Sequence, residues 1–215
     1  MIPLSRKLQT DEPAMNKRLV LLVAAVFAIG TLLAFTALQL SGRNTGPTMT
    51  QVSGNPLIGG PFQLIDHTGK RVTEKDFEGG YMLVFFGYTF CPDVCPATLQ
   101  VMTAALEQLG ERADKVTPIF ITVDPERDTV EQMASYVANF HERFVGLTGS
   151  HEEIGAAAKA YRIYYAKAKD DTSSSEYLMD HSGIVYLMNP KGAYATHFSH
   201  QTSPEKMAEG IGKFL

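Results

Sequence analysis

Residues 81–96 read YMLVFFGYTFCPDVCP, and this stretch decides the fold. Its first eight residues, 81–88, form an unbroken apolar run, the pattern of a strand covered on both faces rather than on one. After it come Cys91 and Cys95, and then Pro96, suited to the first position of a helix over 96–109. Leu99, Met102, Leu106 and Leu109 recur there at helical spacing. A doubly buried strand that passes at once into an amphipathic helix is a unit of a layered α/β domain.

Working outward, residues 62–66 and 71–73 flank the turn His67-Thr68-Gly69-Lys70 and read as a hairpin. Residues 116–123, VTPIFITV, are a second buried strand, followed by helices over 128–140 and 152–161. Strands 183–188 and 193–198 meet at Asn189-Pro190-Lys191-Gly192. A helix over 203–214 closes the sequence, with Ser203 as cap and Pro204 at its first position. This order predicts an α/β fold with a central mixed sheet flanked by helices, and the thioredoxin arrangement fits it. Residues 170–176, DDTSSSE, read as a polar surface loop.

The N-terminal quarter differs in kind. Residues 19–40, LVLLVAAVFAIGTLLAFTALQL, carry no charge; as a helix they would extend about 33 Å, enough to cross a hydrocarbon core. Arg6, Lys7, Lys17 and Arg18 precede the run and only Arg43 follows closely, which places the N-terminus in the cytoplasm. A cleaved secretory signal would have a shorter apolar core and a small-x-small site after it. The expected organisation is therefore a cytoplasmic tail over 1–18, a single transmembrane anchor over 19–40, a Gly/Pro/Thr/Ser-rich linker over 41–60, and a domain over 61–215. The linker's root-mean-square span is about 25 Å, which tethers the domain near the outer face of the inner membrane, in the periplasm. With a formal net charge of -4 and no basic cluster, nucleic acid is not an expected partner.

The chemistry lies in Cys91-Pro92-Asp93-Val94-Cys95-Pro96, where a strand gives way to a helix, which is where sites form in open α/β sheets. A helix N-terminus favours thiolates, the form that attacks disulfides and binds metals. Three readings compete at this point. A structural disulfide suits an exported chain with an even cysteine count, but closing a three-residue loop restrains the unfolded chain little. Redox exchange is the second. Thioredoxin-like redox proteins use C-x-x-C, whereas here one more residue opens the pair toward a third partner. Metal binding is the third, since two thiolates and an imidazole suit Cu(I).

Six histidines are candidates for that imidazole. His67 falls in a turn, His141 after a helix, His151 near a helix start, and His197 and His200 in or beside the last hairpin, all compatible with surface roles. His181 stands apart in Tyr177-Leu178-Met179-Asp180-His181-Ser182, a loop before a strand that a thioredoxin-like fold packs against the start of its first helix. Asp180 is a candidate to orient the imidazole. Asp124 and Asp128 look like paired carboxylates but read as a strand end and a helix cap. Met179 reads as core, and Tyr88 and Phe90 as walls of the site.

Three motifs now make the sequence recognisable: Gly87 to Pro96 (GYTFCPDVCP), Thr122 to Thr129 (TVDPERDT), and Asp180-His181-Ser182. Over residues 61–215 the chain resembles the SCO/SenC family of copper chaperones for cytochrome c oxidase. The resemblance implies a thioredoxin-like fold, copper as Cu(I) and also Cu(II), and Cys91, Cys95 and His181 as its ligands. It implies delivery to the copper-accepting subunit of the oxidase, with a copper donor and a thiol reductant in the same compartment. The alternative it leaves open is a thiol-disulfide oxidoreductase in which Cys91 and Cys95 are the redox-active pair that reduces the oxidase's cysteines before metallation.

Overall fold

In the computed structural model the described residues are 22, 26, 29–31, 58–168 and 177–215. The chain forms two compact units, Met1–Ser53 and Gly54–Leu215. In the first, Leu22, Val26, Ile29, Gly30 and Thr31 are helical, and the three large side chains are exposed. Among the described residues no helix is long and apolar enough to cross a membrane. The expected anchor over 19–40 falls largely outside those residues, as do the tail over 1–18, most of the linker over 41–60 and the polar loop over 170–176.

Among the described residues the second unit carries nine strands: β1 (Gln63–Asp66), β2 (Arg71–Thr73), β3 (Tyr81–Gly87), β4 (Val116–Thr122), β5 (Val145–Thr148), β6 (Tyr165–Ala168), β7 (Leu178–His181), β8 (Ile184–Met188) and β9 (Tyr194–Ser199). Its α-helices are α1 (Val94–Leu109), α2 (Val130–Val137), α3 (His151–Ala160) and α4 (Pro204–Gly212). Seven strands form one sheet in the order β2-β1-β5-β4-β3-β8-β9, while β6 and β7 pair separately. The sheet is mixed: β3, β4 and β5 run parallel, whereas β8 is antiparallel to β3 and β9 to β8. The expected thioredoxin-like α/β arrangement, with helices on a central mixed sheet, is what the chain adopts.

Residues 82–86 of β3 are buried on both faces, as the unbroken apolar run requires. Phe85 stacks on Phe120 of β4 with ring centroids 6.2 Å apart, and Phe86 meets Tyr161 at 5.3 Å on the opposite side. α1 packs on α4, and Ser203 accepts the Lys206 N–H to cap α4 as expected.

Several expectations need correction. β5 is not expected from the sequence, because four residues with two glycine-adjacent apolar positions, VGLT, carry no period of their own. β6 and β7 were missed because each is short and half-exposed. The cap of α2 is Thr129, whose hydroxyl accepts the Gln132 N–H at 3.2 Å, and not Asp128. The compact unit also begins before residue 61: Ile58 packs on the core and the Gly59 N–H donates to the Ala160 carbonyl at 3.0 Å.

Candidate metal centre

β3 ends at Gly87, and the chain crosses Tyr88 to Asp93 before α1 begins at Val94, two residues ahead of the expected start. Pro96 is thus the third helical residue, still inside the first turn, where a missing N–H breaks no helical bond. Asp93 stands at the cap position without a side-chain bond; instead the Sγ of Cys91 accepts the Cys95 N–H at 3.4 Å. The sulfur of one cysteine therefore caps the helix that carries the other, and the helix dipole favours negative charge there.

Both cysteines are free thiols, Cys91 half-buried and Cys95 fully buried. The hydrogen bond from Cys95 holds the Cys91 thiol far below its ordinary value, at about 3, against the opposing effect of burial, with backbone N–H groups adding to the lowering. The same contact, together with burial, pushes Cys95 strongly upward. The pair holds one negative charge on the half-buried sulfur of Cys91 and one proton on the buried sulfur of Cys95. Gly87 makes this packing possible: a Cβ there would lie 2.8 Å from Cys95 Sγ and 2.8 Å from Phe120 Cε2.

His181 is the last residue of β7, paired with Tyr165 of β6, rather than part of a loop. That pairing brings its Nε2 to 3.3 Å from Cys95 Sγ, across 86 positions of sequence. Its Nδ1 lies 3.3 Å from the Ser182 carbonyl oxygen. A carbonyl only accepts, so Nδ1 carries the ring proton and the Nε2 lone pair faces the sulfur. The edges of Phe85 and Tyr88 enclose the ring at centroid distances of 5.9 Å and 6.0 Å. Burial above all pushes the Tyr88 phenol up to about 12, and the negative charge at Cys91 adds to the rise. Asp180, the expected orienting carboxylate, is exposed at the rim; the Ser182 carbonyl fixes the ring instead.

The TVDPERDT segment braces the cysteine loop from behind. Buried Asp128 accepts the Thr89 N–H at 3.0 Å, the Thr89 hydroxyl at 2.6 Å and the Thr122 hydroxyl at 2.5 Å, and burial raises its carboxyl above the ordinary range. Asp124 lies two residues past the end of β4 rather than ending it, where it accepts from the Tyr177 hydroxyl and pairs with Arg127. The Arg127 guanidinium lies 3.8 Å from the Tyr177 ring centroid and 4.9 Å from that of Phe90. Phe90 is 45% exposed and so borders the site rather than walling it.

A cavity of about 310 Å³ opens over the loop, lined by Cys91, Pro92, Asp93, His181, Gly183 and His200 among others. A larger hollow of about 630 Å³ lies between α1 and residues 139–142 and contains neither cysteine. His200 lines this cavity although its place in the sequence suggests a surface role. Its signal was the hairpin register: β8 and β9 pair Ile184 with Ser199, which sets His200 opposite Gly183, two residues from His181. The other expected surface histidines, His67, His141, His151 and His197, lie outside this cavity. Among the described residues, no group of three or more His, Cys, Asp or Glu side chains is already closed around a metal position.

The donor set nevertheless suits a soft ion. Two sulfurs gather at one helix end, and an imidazole with a free Nε2 lone pair faces the inner one. Ligands at the distances known for a bound d¹⁰ ion such as zinc, about 2.3 Å to sulfur and 2.1 Å to nitrogen, stand roughly 3.6 to 3.8 Å apart. Cys95 and His181 would separate by only a few tenths of an ångström to admit such an ion.

Comparison with known proteins bears on this arrangement. The family model described as SCO1/SenC matches residues 50–215. Sco1 of Schizosaccharomyces pombe is 45% identical over 163 residues, which are 75% of this chain and 62% of that protein. The chain spans about half to three-fifths of the length of the curated relatives it first matches. The copper-bound structure of Arabidopsis thaliana ScoI superimposes with a TM-score of 0.69 at 44% identity, covering 73% of this chain and 96% of that one. The structure of BsSco, a Sco-family cytochrome c oxidase assembly protein with a disulfide switch, superimposes at 0.57 with 25% identity, covering 75% of this chain and 94% of that one. With a matched family model over most of its length and a thioredoxin-like frame around a paired-cysteine loop, this chain belongs to the SCO1/SenC family.

Proposed function

We propose that this chain is a membrane-anchored copper chaperone. In this reading it binds copper through Cys91, Cys95 and His181 and passes it to the copper-accepting subunit of cytochrome c oxidase. The observation that carries the reading is the 3.3 Å approach of His181 Nε2 to Cys95 Sγ beside a low-pKa Cys91. The copper-bound ScoI of Arabidopsis and the oxidase-assembly role of BsSco support the choice of cargo and recipient. Three protein ligands leave room for an incoming thiolate, so transfer proceeds by ligand exchange, one sulfur replacing another. A donor loads the site, and a thiol reductant in the same compartment keeps both sulfurs reduced, because a Cys91–Cys95 disulfide removes two ligands together.

The anchored location rests on sequence: the uncharged run over 19–40 and the basic residues before it favour a single span with the domain in the periplasm. The ligand assignment is tested by anaerobic Cu(I) competition on the reduced full chain. His181→Ala is expected to lower Cu(I) affinity by about a hundredfold or more, since removing even a partner that only orients a ligand costs about 10 to 100-fold. Unchanged affinity would remove the histidine from the site.

A specific observation also favours a second reading. A thiolate at Cys91 that lines an open cavity, backed by a protonated Cys95, is the arrangement of an attacking and a resolving thiol. The chain would then reduce the acceptor's disulfide through a mixed disulfide, ending with its own Cys91–Cys95 bond and a dithiol on the acceptor. Retention of acceptor reduction in His181→Ala, alongside loss of copper binding, would favour it.

A further inference from the structure

We infer that His200 is an additional copper donor, one that joins Cys91, Cys95 and His181 when the cargo is Cu(II) and stands aside when it is Cu(I). The inference rests on the copper-binding reading above and adds a residue to it.

Four observations converge on this side chain. His200 lines the same cavity as Cys91 and His181. It is held in place by its neighbour strand: its N–H donates to the Gly183 carbonyl at 3.0 Å, and its Nδ1 lies 3.3 Å from the same oxygen. That oxygen only accepts, so Nδ1 carries the proton and Nε2 keeps its lone pair, the tautomer a metal requires. Finally, the seat depends on the absence of a side chain opposite. A Cβ on Gly183 would lie 2.6 Å from His200 Nδ1 and 3.2 Å from its Cγ.

The chemistry explains why the donor would be used by one oxidation state. Cu(I) is content with two thiolates and one imidazole, whereas Cu(II) favours tetragonal sets richer in nitrogen. Asp93 and Asp180 also line this cavity, and a carboxylate oxygen can serve Cu(II) as well, so a count of coupled nitrogens is what separates His200 from either. His200 is exposed, so the ring can swing toward the ion without opening the core. A site with a fourth donor at its mouth would hold Cu(II) through four donors and Cu(I) through three, leaving the Cu(I) form open to an incoming thiolate.

The test uses the reduced full chain in detergent, with Cu(II) and Cu(I) supplied separately under anaerobic conditions. Electron paramagnetic resonance of the Cu(II) form is expected to show two coupled nitrogens in the wild type and one in both His200→Ala and His200→Gln. Cu(II) affinity in these variants is expected to fall about tenfold or more, as for loss of a single ligand-shell partner, while Cu(I) affinity stays within about twofold. Added imidazole should restore the second nitrogen to His200→Ala. An unchanged nitrogen count and Cu(II) affinity, or an equal loss of Cu(I) affinity, would overturn the inference while leaving the three-ligand reading intact. A wild-type chain that binds neither ion would overturn that reading and the inference together.

Discussion

At the scale of single residues, the site is a problem of one proton shared between two sulfurs. Cys91 accepts the Cys95 backbone N–H and, by its bond with the Cys95 thiol, titrates at about 3, while buried Cys95 keeps its proton. A lowered thiol pKa means thiolate above that value, so Cys91 is already charged through the neutral range. Iodoacetamide should therefore modify Cys91 of the reduced chain at a nearly constant rate from roughly pH 5 to 8, where an ordinary thiol gains about tenfold per unit. Peptide mapping should find Cys95 unmodified. A rate that climbs steeply across that range would show that Cys91 is an ordinary thiol. These electrostatics were foreseeable only in part: a helix start after a buried strand predicted thiolate character, but not which sulfur would carry it, because that depends on Gly87 admitting Cys95 to the core.

At the scale of elements, helix starts anchor the frame around the site. α3 begins with a reciprocal cap in which Ser150 accepts the Glu153 N–H at 3.2 Å and Glu153 accepts the Ser150 N–H at 2.8 Å. Glu153 also pairs with Arg71 of β2, so one carboxylate ties a helix start to the sheet edge. The Ser150 N–H, helped by Arg71 and opposed by slight burial, holds this carboxyl below its ordinary value. An acid with a lowered folded pKa supports the fold fully above its unfolded value and loses that support as pH falls through the folded one. Glu153→Gln should lower the urea midpoint at neutral pH and flatten its decline between about pH 5 and pH 3. Parallel acid limbs for the two proteins would show that the carboxylate contributes nothing specific. The strands missed in the sequence, β5, β6 and β7, share a cause: four-residue strands take their conformation from pairing partners rather than from their own pattern.

At the scale of the whole molecule, Gly54–Leu215 forms a compact unit with its own core, and the copper chemistry proposed here lies within it. A chain lacking residues 1–40 should consequently be soluble and bind Cu(I) with unchanged affinity, while the full chain stays in the membrane pellet after carbonate extraction. Full-length protein in the soluble fraction would remove the anchor. The sequence by itself determined the doubly buried central strand, the helix that follows it, the terminal hairpin and helix, and the residue types of a soft-metal site, because local period, capping and donor chemistry are written in neighbouring residues. Only the tertiary structure decided what meets across distance. The β6–β7 pairing carries His181 to Cys95, the Ser182 carbonyl rather than Asp180 sets its ring, and the β8–β9 register brings His200 to the same cavity. Such contacts depend on strand register and on the space left by Gly87 and Gly183, and no local period encodes either.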